Sequence, residues 1–350
     1  MKNARNSSFE LLRLLCIFGI ITMHTFATID TGASTLNTAI HVLVNSLFNT
    51  GVTCFILISG YFGIRFDLKK LISLDFMIIF FTLAGTILLG DFGIKALIKS
   101  CIPVLSRQYW FITCYFALCI LAPFLNQIPE RLSREHFRNL ILVLLLIFSV
   151  IPTLTTYDIM QDAGKGLVDF VMIYLLGRYL SLYHKEKSYH SSRLALGILL
   201  STVIVFGLDL ILTLKQGVIY STCSRDCSIF IIFSSVLILL LFSQMHFTSR
   251  FINRAASNVL AVYVLDQTLR TLLNRYIDLN AYATKPYLIL IVLGYVAVVV
   301  LAALLINEIR RLTIGRIEPW ASGLLAGLWY RLQDVLVKLV QRISGFFLKG

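Results

Sequence analysis

Charged residues are scarce in this chain of 350 residues. Aspartate, glutamate, lysine and arginine together make up only 14% of it, whereas 58% of the residues are hydrophobic. Because a soluble domain usually carries about 25% charged residues, this scarcity argues against a soluble globular fold. Several apolar runs are long enough to cross a bilayer, so the sequence predicts an all-α polytopic membrane protein.

The sequence also lacks the short motifs of many soluble enzymes. It contains no phosphate-binding loop, no dinucleotide-binding glycine pattern and no zinc-ligand spacing, each of which has a defined residue pattern. It has no internal repeat and no low-complexity tract either. We therefore expect the function to lie within the membrane-embedded helices, with no metal ion and no permanently bound cofactor.

Acidic residues are outnumbered by basic ones, and the formal net charge is +13. In a soluble protein such a charge would indicate a nucleic-acid partner. Here most of the basic residues occupy short loops between apolar runs, which is typical of the positive-inside rule and of contact with anionic lipid. We therefore expect membrane lipid, and not nucleic acid, as a partner.

Six of the seven cysteines fall into two groups. Cys223 and Cys227 share one polar loop, where they form either a disulfide, if the loop faces an oxidising space, or a pair of free thiols. Most of the others lie inside apolar runs, where cysteine behaves as a small core residue; these are Cys16, Cys54, Cys114 and Cys119.

Ten apolar segments predict ten transmembrane helices. They lie near residues 10–29, 39–63, 71–90, 109–126, 139–155, 167–184, 194–214, 228–245, 256–273 and 286–307. We expect the first of them to be a retained helix, because Arg13 interrupts the apolar run that a cleaved signal peptide would need. The bundle accordingly takes up residues 1–310, and residues 311–350 form a tail.

Lysine and arginine lie mainly in alternate loops of this ten-helix arrangement. The basic residues of these loops are Lys2, Arg5, Arg65, Lys69, Lys70, Arg131, Arg134, Arg138, Lys185, Lys187, Arg193, Arg250, Arg254, Arg310, Arg311 and Arg316. The positive-inside rule therefore predicts that both termini are cytoplasmic. One outer loop departs from the pattern through Lys95, Lys99 and Arg107, and we expect a short interfacial or re-entrant segment there.

The tail has the pattern of an amphipathic helix. Charged residues, including Arg331, Asp334, Lys338 and Arg342, fall between apolar residues at helical spacing. Such a helix is expected to lie on the cytoplasmic membrane surface, although docking against the bundle is an alternative. The apolar residues are Trp320, Leu324, Leu328, Leu332, Val335, Leu339, Ile343 and Phe346.

The first predicted helix carries ionisable residues on one face. Arg13 and His24 are eleven positions apart, and eleven steps of 100° bring them back to the same face, roughly 16 Å apart along the axis. Glu10 precedes Arg13 by three positions and can pair with it. We expect Arg13 near the cytoplasmic end of the helix and His24 at bilayer depth.

This face predicts a polar cavity that enters the bundle from the cytoplasm. Arg13 alone would indicate a side chain that reaches the headgroups, and His24 alone would equally indicate a packed interior histidine. Ionisable residues at membrane depth usually face the bundle interior or a wet cavity. The two on one face therefore favour a cavity, with a neutral His24 as a general base.

The stretch "RNSSFELLRLLCIFGIITMHTF" resembles the opening of membrane-bound acyltransferase family 3, a group of bacterial integral-membrane acyltransferases. The matching residues are Arg5, Asn6, Glu10, Arg13 and His24. Three later stretches resemble further helices of the family, in order: "FNTGVTCFILISGYFGI" with Ser59, Gly60 and Tyr61, "RQYWFITCYFALCILAPFLN" with Tyr109, Trp110 and Phe111, and "IYLLGRYL". The resemblance covers residues 1 to about 310.

The resemblance implies a reaction. Members of this family use cytoplasmic acyl-CoA, usually acetyl-CoA, to acylate glycans, so we expect an O-acetyltransferase of the bacterial inner membrane that acts on a cell-surface polysaccharide or its lipid-linked precursor. It also implies that His24 is catalytic and that Arg13 binds or positions the donor. The alternatives are a transporter of lipid-linked glycans and a transferase of another acyl group, such as succinyl.

The donor-binding candidates are basic residues on the predicted cytoplasmic side. The loop "RFDLKK" supplies Arg65, Lys69 and Lys70, which can bind the phosphates of CoA or can simply follow the positive-inside rule. Family members often have paired arginines here, and this chain does not. Glu10 joins this donor-side group as the partner of Arg13.

The acceptor-side candidates are polar or aromatic residues of later helices. Asp266 precedes Arg270 by four positions, which suits a structural ion pair, and family members often have histidine in its place. Aromatic residues near a membrane boundary serve either as anchors or as a platform for sugar stacking. The full set is Ser59, Tyr61, Tyr109, Trp110, Asp209 and Asp266.

Overall fold

The computed structural model describes residues 6–347 and is helical throughout, with no strand in that range. Lys2 and Arg5 lie outside the described residues, as do the side chains of Arg316, Arg342, Ile343 and Phe346. The first nine helices are α1 (Ser8–Phe26), α2 (Thr35–Phe48), α3 (Thr50–Phe62), α4 (Leu68–Leu89), α5 (Ile94–Cys101), α6 (Trp110–Leu125), α7 (Ile128–Arg131), α8 (Arg134–Leu145) and α9 (Ile151–Thr155). The others are α10 (Leu167–Tyr183), α11 (Ser191–Gln216), α12 (Ile229–Ser243), α13 (Arg250–Ala256), α14 (Val259–Leu273), α15 (Leu288–Thr313) and α16 (Glu318–Phe347).

Seven helical segments among the described residues are long and apolar enough to cross a membrane. These segments are α1, α2 with α3, α4, α6 with α7, α8 with α9, α11 and α15. The other three predicted spans fall on α10, α12 and α14, which have 17, 15 and 15 residues. The chain is thus an all-helical, multi-pass membrane protein, and the count of ten spans and the orientation of the termini stay predictions.

α1 is the central helix of the bundle. In its most apolar window 61% of the residues are buried, compared with 22–28% for α4, α8–α9, α11 and α15. Ile17 and Ile21 belong to one hydrophobic core, and Leu12 and Cys16 belong to a second one. Residues on opposite sides of α1 therefore pack against different groups of helices, which holds its polar stripe in a fixed direction.

The start of α1 is fastened to α13. The Ser7 hydroxyl donates to Asn253 Oδ1 at 2.8 Å and accepts from the Ser249 N–H at 2.8 Å. Ser249 also caps α13 by accepting from the Ile252 N–H. These bonds place the first turns of α1 beside the first turns of α13, at one end of the bundle.

α3 and α10 cross at two glycines. A Cβ atom on Gly60 would lie 2.2 Å from the carbonyl oxygen of Tyr174, and one on Gly177 would lie 2.5 Å from the carbonyl oxygen of Leu57. Both neighbours are backbone atoms, so they cannot rotate away. The contact between these helices therefore requires glycine on each side.

We expect Gly60→Ala to lower the free energy of unfolding by about 1–3 kcal/mol or more, because overpacking a close backbone contact strains both helices. Thermal unfolding in detergent measures the effect. Gly207→Ala in α11 is the matched control, since a Cβ there meets nothing within 4 Å. Equal melting temperatures for the two variants would contradict the close crossing.

The tail helix α16 is docked at its start and exposed along the rest. Ser322 and Ala326 are buried where α16 packs against α4, and Arg310 pairs with Glu318 at its first residue. Residues 328–341 are exposed on all sides. The docking alternative therefore holds for the first two turns, and contact of the exposed part with lipid stays a prediction. α15 runs on to Thr313, past the predicted boundary at residue 310.

The loop that carries Lys95, Lys99 and Arg107 contains a short helix. α5 has eight residues, and Ile94 and Ile98 on it are 71% and 56% exposed. Lys95 and Lys99 are exposed on the same helix. Exposed isoleucines beside lysines are typical of an interfacial segment.

Candidate active site

A cavity of about 300 Å³ lies beside α1. One wall is the predicted stripe of the helix, formed by Glu10, Arg13, Ile17, Ile20 and His24. Their alternating spacing of three and four positions keeps them on one helical face. The structure thus brings the three predicted ionisable residues of α1 to one cavity.

The charged end of the cavity is held by an ion pair within the first two turns of α1. Arg13 donates to Glu10 Oε1 at 2.7 Å, and the side chains are 24% and 4% exposed. A pair at i,i+3 on a helix needs no strain to form. Because Glu10 is almost completely buried, Arg13 is held in a defined position while keeping access to solvent.

His24 is held by a carboxylate from a distant part of the chain. Its Nδ1 lies 2.8 Å from Asp266 Oδ2, although the two residues are 242 positions apart. Arg270 donates to Asp266 from Nε at 2.7 Å and from NH2 at 3.1 Å, and its NH1 donates to the carbonyl oxygen of His24 at 3.2 Å. The three residues form a closed network between α1 and α14.

This network assigns the two ring nitrogens of His24 different roles. When Nδ1 carries the hydrogen and donates it to Asp266, Nε2 is left unprotonated and acts as a base. The Asp266 side chain is only 4% exposed, whereas that of His24 is 39% exposed. The carboxylate is therefore sealed behind the imidazole, and the imidazole itself is open to the cavity.

The structure changes the interpretation of Asp266. The predicted i,i+4 pair with Arg270 is present, but Asp266 does not stand apart on an acceptor side, because it contacts His24 directly. Sequence reasoning missed this contact, since no local pattern links positions 242 apart. The only available indication was an aspartate inside an apolar helix, which usually has a functional partner.

The position of His24 along α1 also differs from the prediction. α1 ends at Phe26 and not near residue 29, which places His24 in the last turn of the helix. Beyond Ala27 the backbone bonds tighten to i→i−3, from the N–H of Thr28 to Thr25 and from that of Ile29 to Phe26, and Thr28 Oγ1 also donates to the carbonyl oxygen of Thr25. His24 thus lies closer to the C-terminal end of α1 than the predicted bounds implied, and its depth in the bilayer stays a prediction.

Aromatic side chains form much of the opposite wall. Trp110, Phe111 and Tyr115 of α6, Phe55 of α3 and Tyr263 of α14 line the cavity. Phe111 stacks on Tyr115 with ring centroids 6.0 Å apart and an angle of 7° between the planes. Such a wall leaves little hydrogen bonding for water inside the cavity. Two predicted residues, Ser59 and Trp110, are among those that line it.

Three other predicted acceptor-side residues are not brought to the cavity. Tyr61 is buried between rings, with centroid distances of 5.3 Å to Phe9 and 5.5 Å to Phe62. Tyr109 donates its hydroxyl to the carbonyl oxygen of Val264 at 3.4 Å. Both side chains therefore stabilise the packing between helices.

Asp209 is the third, and it organises a loop. Its fully buried carboxylate accepts hydrogen bonds from the N–H groups of Cys223 and Ser224 and from the Ser224 hydroxyl, at 2.7–3.0 Å. Residues 223–224 satisfy its oxygens, and Asp209 is not among the residues that line the cavity. The carboxylate thus orders this loop, and a place at an acceptor opening stays a prediction.

The same loop contains Cys223 and Cys227, which are free, buried thiols in the structure. Burial raises the pKa of Cys223 to about 11, with Asp209 adding to the effect. Burial also raises the pKa of Cys227 to about 12. Both groups are therefore protonated near neutral pH, and a protonated thiol is a poor nucleophile.

The predicted donor loop lies outside the cavity. Arg65, Lys69 and Lys70 are exposed, and none of them lines the cavity wall. Lys70 pairs with Asp67 at 3.3 Å, and the hydrogen bond from the Lys70 N–H keeps the pKa of Asp67 below its usual range. Asp67 is the N-cap of α4, so this loop is ordered by helix capping.

The described residues were compared for clusters of possible metal ligands. No group of three or more histidine, cysteine, aspartate or glutamate side chains in residues 6–347 is placed to hold a metal ion. The charged or basic residues on the cavity wall are Glu10, Arg13 and His24, and Asp266 lies behind His24.

A comparison of the sequence with protein-family models finds one match. The family model described as "Acyltransferase domain" of acyltransferase family 3 matches residues 6–307, which include α1, the cavity and the His24–Asp266 pair. The comparisons with curated proteins and with solved structures gave no match. The chain therefore belongs to acyltransferase family 3 and is a membrane-embedded acyltransferase.

Proposed function

We propose that this protein transfers an acetyl group from acetyl-CoA to a hydroxyl of a cell-surface polysaccharide, or of its lipid-linked precursor, in the bacterial plasma membrane. The observation that carries the proposal is the contact of 2.8 Å between His24 and Asp266 on the wall of a cavity that also contains Arg13. A base oriented by a carboxylate is the arrangement that activates hydroxyl groups in acyl-transfer enzymes.

The reaction needs a single base. Nε2 of His24 takes the proton of the acceptor hydroxyl while the oxygen attacks the thioester carbonyl carbon. The carbon–sulfur bond then breaks, and the leaving thiolate takes the proton back from the imidazolium, which yields the acetyl ester and CoA. Asp266 stabilises the transient imidazolium, and Arg270 holds Asp266 in place.

The aromatic wall protects the thioester from hydrolysis. Phe55, Phe111 and Tyr263 surround the cavity beside His24, and apolar rings exclude water that would compete with the acceptor hydroxyl. A confined cavity also raises the effective concentration of the two reactants. The geometry therefore favours transfer to an acceptor over release of free acetate.

Arg13 supports donor binding in this proposal. Its guanidinium is fixed by Glu10 and lies roughly 16 Å from His24 along the helix axis. A donor whose acyl end reaches His24 extends past Arg13 on its way out of the cavity. Arg13 therefore orients the donor and does not take part in the proton transfer.

We expect Arg13→Ala to weaken the binding of acetyl-CoA at least about tenfold, since hydrogen bonds to a charged group contribute roughly 1.5–3 kcal/mol. Isothermal titration of purified protein in detergent measures the dissociation constant. Arg138→Ala is the control, because Arg138 is exposed on α8, which contributes no residue to the cavity. An unchanged dissociation constant for Arg13→Ala would remove its donor role.

The proposal is tested with purified protein in lipid vesicles. Acetyl-CoA and an extract of surface glycan are supplied, and the release of CoA thiol is followed together with the mass of the glycan. Transfer of acetyl is expected, dependent on both substrates. A transporter of lipid-linked glycans would release no thiol, and a mass increase matching succinyl with succinyl-CoA alone would identify a different acyl group.

A further inference from the structure

One end of the cavity is formed by the junction between α13 and α14. Ala256, Ser257, Val259 and Leu260 line it there, and Ser257 is exposed to solvent. Because α13 is fastened to the start of α1 through Ser7, this opening lies at the same end of the bundle as Glu10 and Arg13. Sequence reasoning predicted no role for these residues.

Two arginines stand at this opening. Arg311 of α15 donates from NH1 to the Ser257 hydroxyl at 3.3 Å. Arg254 of α13 lies one turn before Ser257, and both arginines pair with Glu308, at 2.7 Å for Arg254 and 3.1 Å for Arg311. We call Arg254, Ser257 and Arg311 the rim of the cavity.

The rim carries accessible positive charge. The side chains of Arg254 and Arg311 are 68% and 46% exposed, so a ligand can reach both guanidinium groups. Two cations opposite the single carboxylate of Glu308 leave one net positive charge. α14 begins beside them with no side chain capping its first N–H groups, and the positive end of a helix adds to the attraction for an anion.

The interior of the cavity is unsuited to a negatively charged phosphate group. Between the rim and His24 its wall is formed largely by apolar and aromatic side chains, among them Ile17, Phe55 and Leu260. Transfer of a phosphate group into such surroundings is strongly unfavourable. A ligand with an uncharged arm and phosphate groups at one end therefore fits with the arm inside and the phosphates at the rim.

We propose that the rim binds the phosphate groups of a nucleotide-containing thioester donor, while its uncharged arm extends through the cavity to His24. This inference rests on the proposed function, because it takes the donor to be acetyl-CoA. Guanidinium groups bind phosphate through paired, charge-assisted hydrogen bonds. The rim thus replaces the exposed loop of Arg65, Lys69 and Lys70 as the place where the donor's phosphates bind.

Three donors distinguish the contribution of the phosphate groups to binding from that of the uncharged arm. Acetyl-CoA carries all of the phosphates, 3′-dephospho-acetyl-CoA lacks one, and acetyl-pantetheine retains the thioester and the arm without any phosphate. Initial rates with each donor are measured for the wild type, for Arg254→Ala, for Arg311→Ala and for the double variant. Arg138→Ala is the matched control, because it removes an exposed arginine on α8, away from the cavity.

We expect each rim variant to raise KM for acetyl-CoA about tenfold, with kcat changed by less than about twofold, because the lost hydrogen bonds bind the donor but do not act on the reacting atoms. KM for acetyl-pantetheine stays unchanged in the same proteins. An equal rise in KM for both donors, or no rise for acetyl-CoA, would overturn the inference. Should the alanine variants not fold, Arg254→Gln and Arg311→Gln replace them with uncharged polar side chains that keep the Cβ, Cγ and Cδ positions.

The phosphate of an anionic lipid offers the rim the same chemistry as the donor. The kinetics are therefore repeated in vesicles of phosphatidylcholine alone and of phosphatidylcholine with phosphatidylglycerol. A donor site gives the same KM ratio between acetyl-CoA and acetyl-pantetheine in both. Two results together would instead show that the rim binds lipid. The wild type would have nearly equal KM values for acetyl-CoA and acetyl-pantetheine, and phosphatidylglycerol would activate the wild type but not the rim variants.

Failure of this inference differs from failure of the proposed function. Titration of CoA and of pantetheine into the His24→Ala protein measures binding without catalysis, and tighter binding of CoA that requires Arg254 and Arg311 is expected. A protein that binds CoA at the rim but transfers no acetyl group would refute the proposed function alone. A protein that transfers acetyl with rim-independent KM refutes the rim alone.

Discussion

Replacement of His24 by alanine is expected to lower the rate of acetyl transfer at least about 10³-fold, since general-base catalysis contributes roughly 10²–10⁴-fold and the cavity holds no second histidine. The side chain is 39% exposed to the cavity, so its removal leaves the helix packing intact. The rate is measured as release of CoA thiol by purified protein, and in cells as the O-acetyl content of surface glycan by mass spectrometry.

The control for His24→Ala is the loss of a histidine elsewhere. His136 is exposed at the start of α8 and bonds to Ser133, so His136→Ala is expected to retain full activity. Both variants must insert into the membrane in equal amounts, as checked by quantitative blotting. Glycan that remains fully acetylated in the His24→Ala strain would show that the imidazole is not the base.

Replacement of Asp266 by asparagine is expected to lower kcat about 10²–10⁴-fold while KM for acetyl-CoA changes little. The amide can donate a hydrogen bond to Nδ1 of His24, which leaves the hydrogen on Nε2 and removes the base from the cavity. Asp266 has no contact with the donor end at Arg13, so donor binding is unaffected. Asp266→Glu is expected to restore part of kcat, because it keeps the charge that orients the imidazole.

A loss of stability has to be separated from this catalytic effect. Asp266 pairs with Arg270 at 2.7 Å, and breaking a buried ion pair can cost about 3–5 kcal/mol, so kcat is expressed per folded molecule after thermal-unfolding measurements. Asp209→Asn removes another buried carboxylate, one that lies outside the cavity, and should lower stability without lowering kcat. If kcat fell in Asp209→Asn and not in Asp266→Asn, the result would contradict the role of Asp266 and would support a role for Asp209 in acceptor binding.

Local sequence was enough to predict much of α1. The stripe of Glu10, Arg13 and His24 depends only on the pitch of a helix, and the structure places all three residues on the cavity wall. The ion pair between Glu10 and Arg13 follows from the same spacing. The apolar segments likewise predicted the positions of the helices, because a run of apolar residues in lipid has to satisfy its own backbone hydrogen bonds.

Contacts between distant segments were beyond that reasoning. Tyr61 and Tyr109 were expected on the acceptor side, yet they pack against Phe9 and Val264. The loop with Lys69 and Lys70 was predicted either to bind the donor or simply to follow the positive-inside rule; it does not line the cavity, and donor binding there stays a prediction. Composition alone therefore does not distinguish a loop that lines the cavity from a neighbouring loop that does not.

The sequence by itself determined the membrane class, the approximate helices and the face of α1 that carries Arg13 and His24, because periodicity and hydropathy are local properties of a helix. Only the tertiary structure decided that Asp266 holds His24, across 242 positions, and that Arg311 reaches Ser257 at the cavity mouth. The pairing of side chains from different helices depends on how the helices pack around α1, which the pattern of any one segment does not contain.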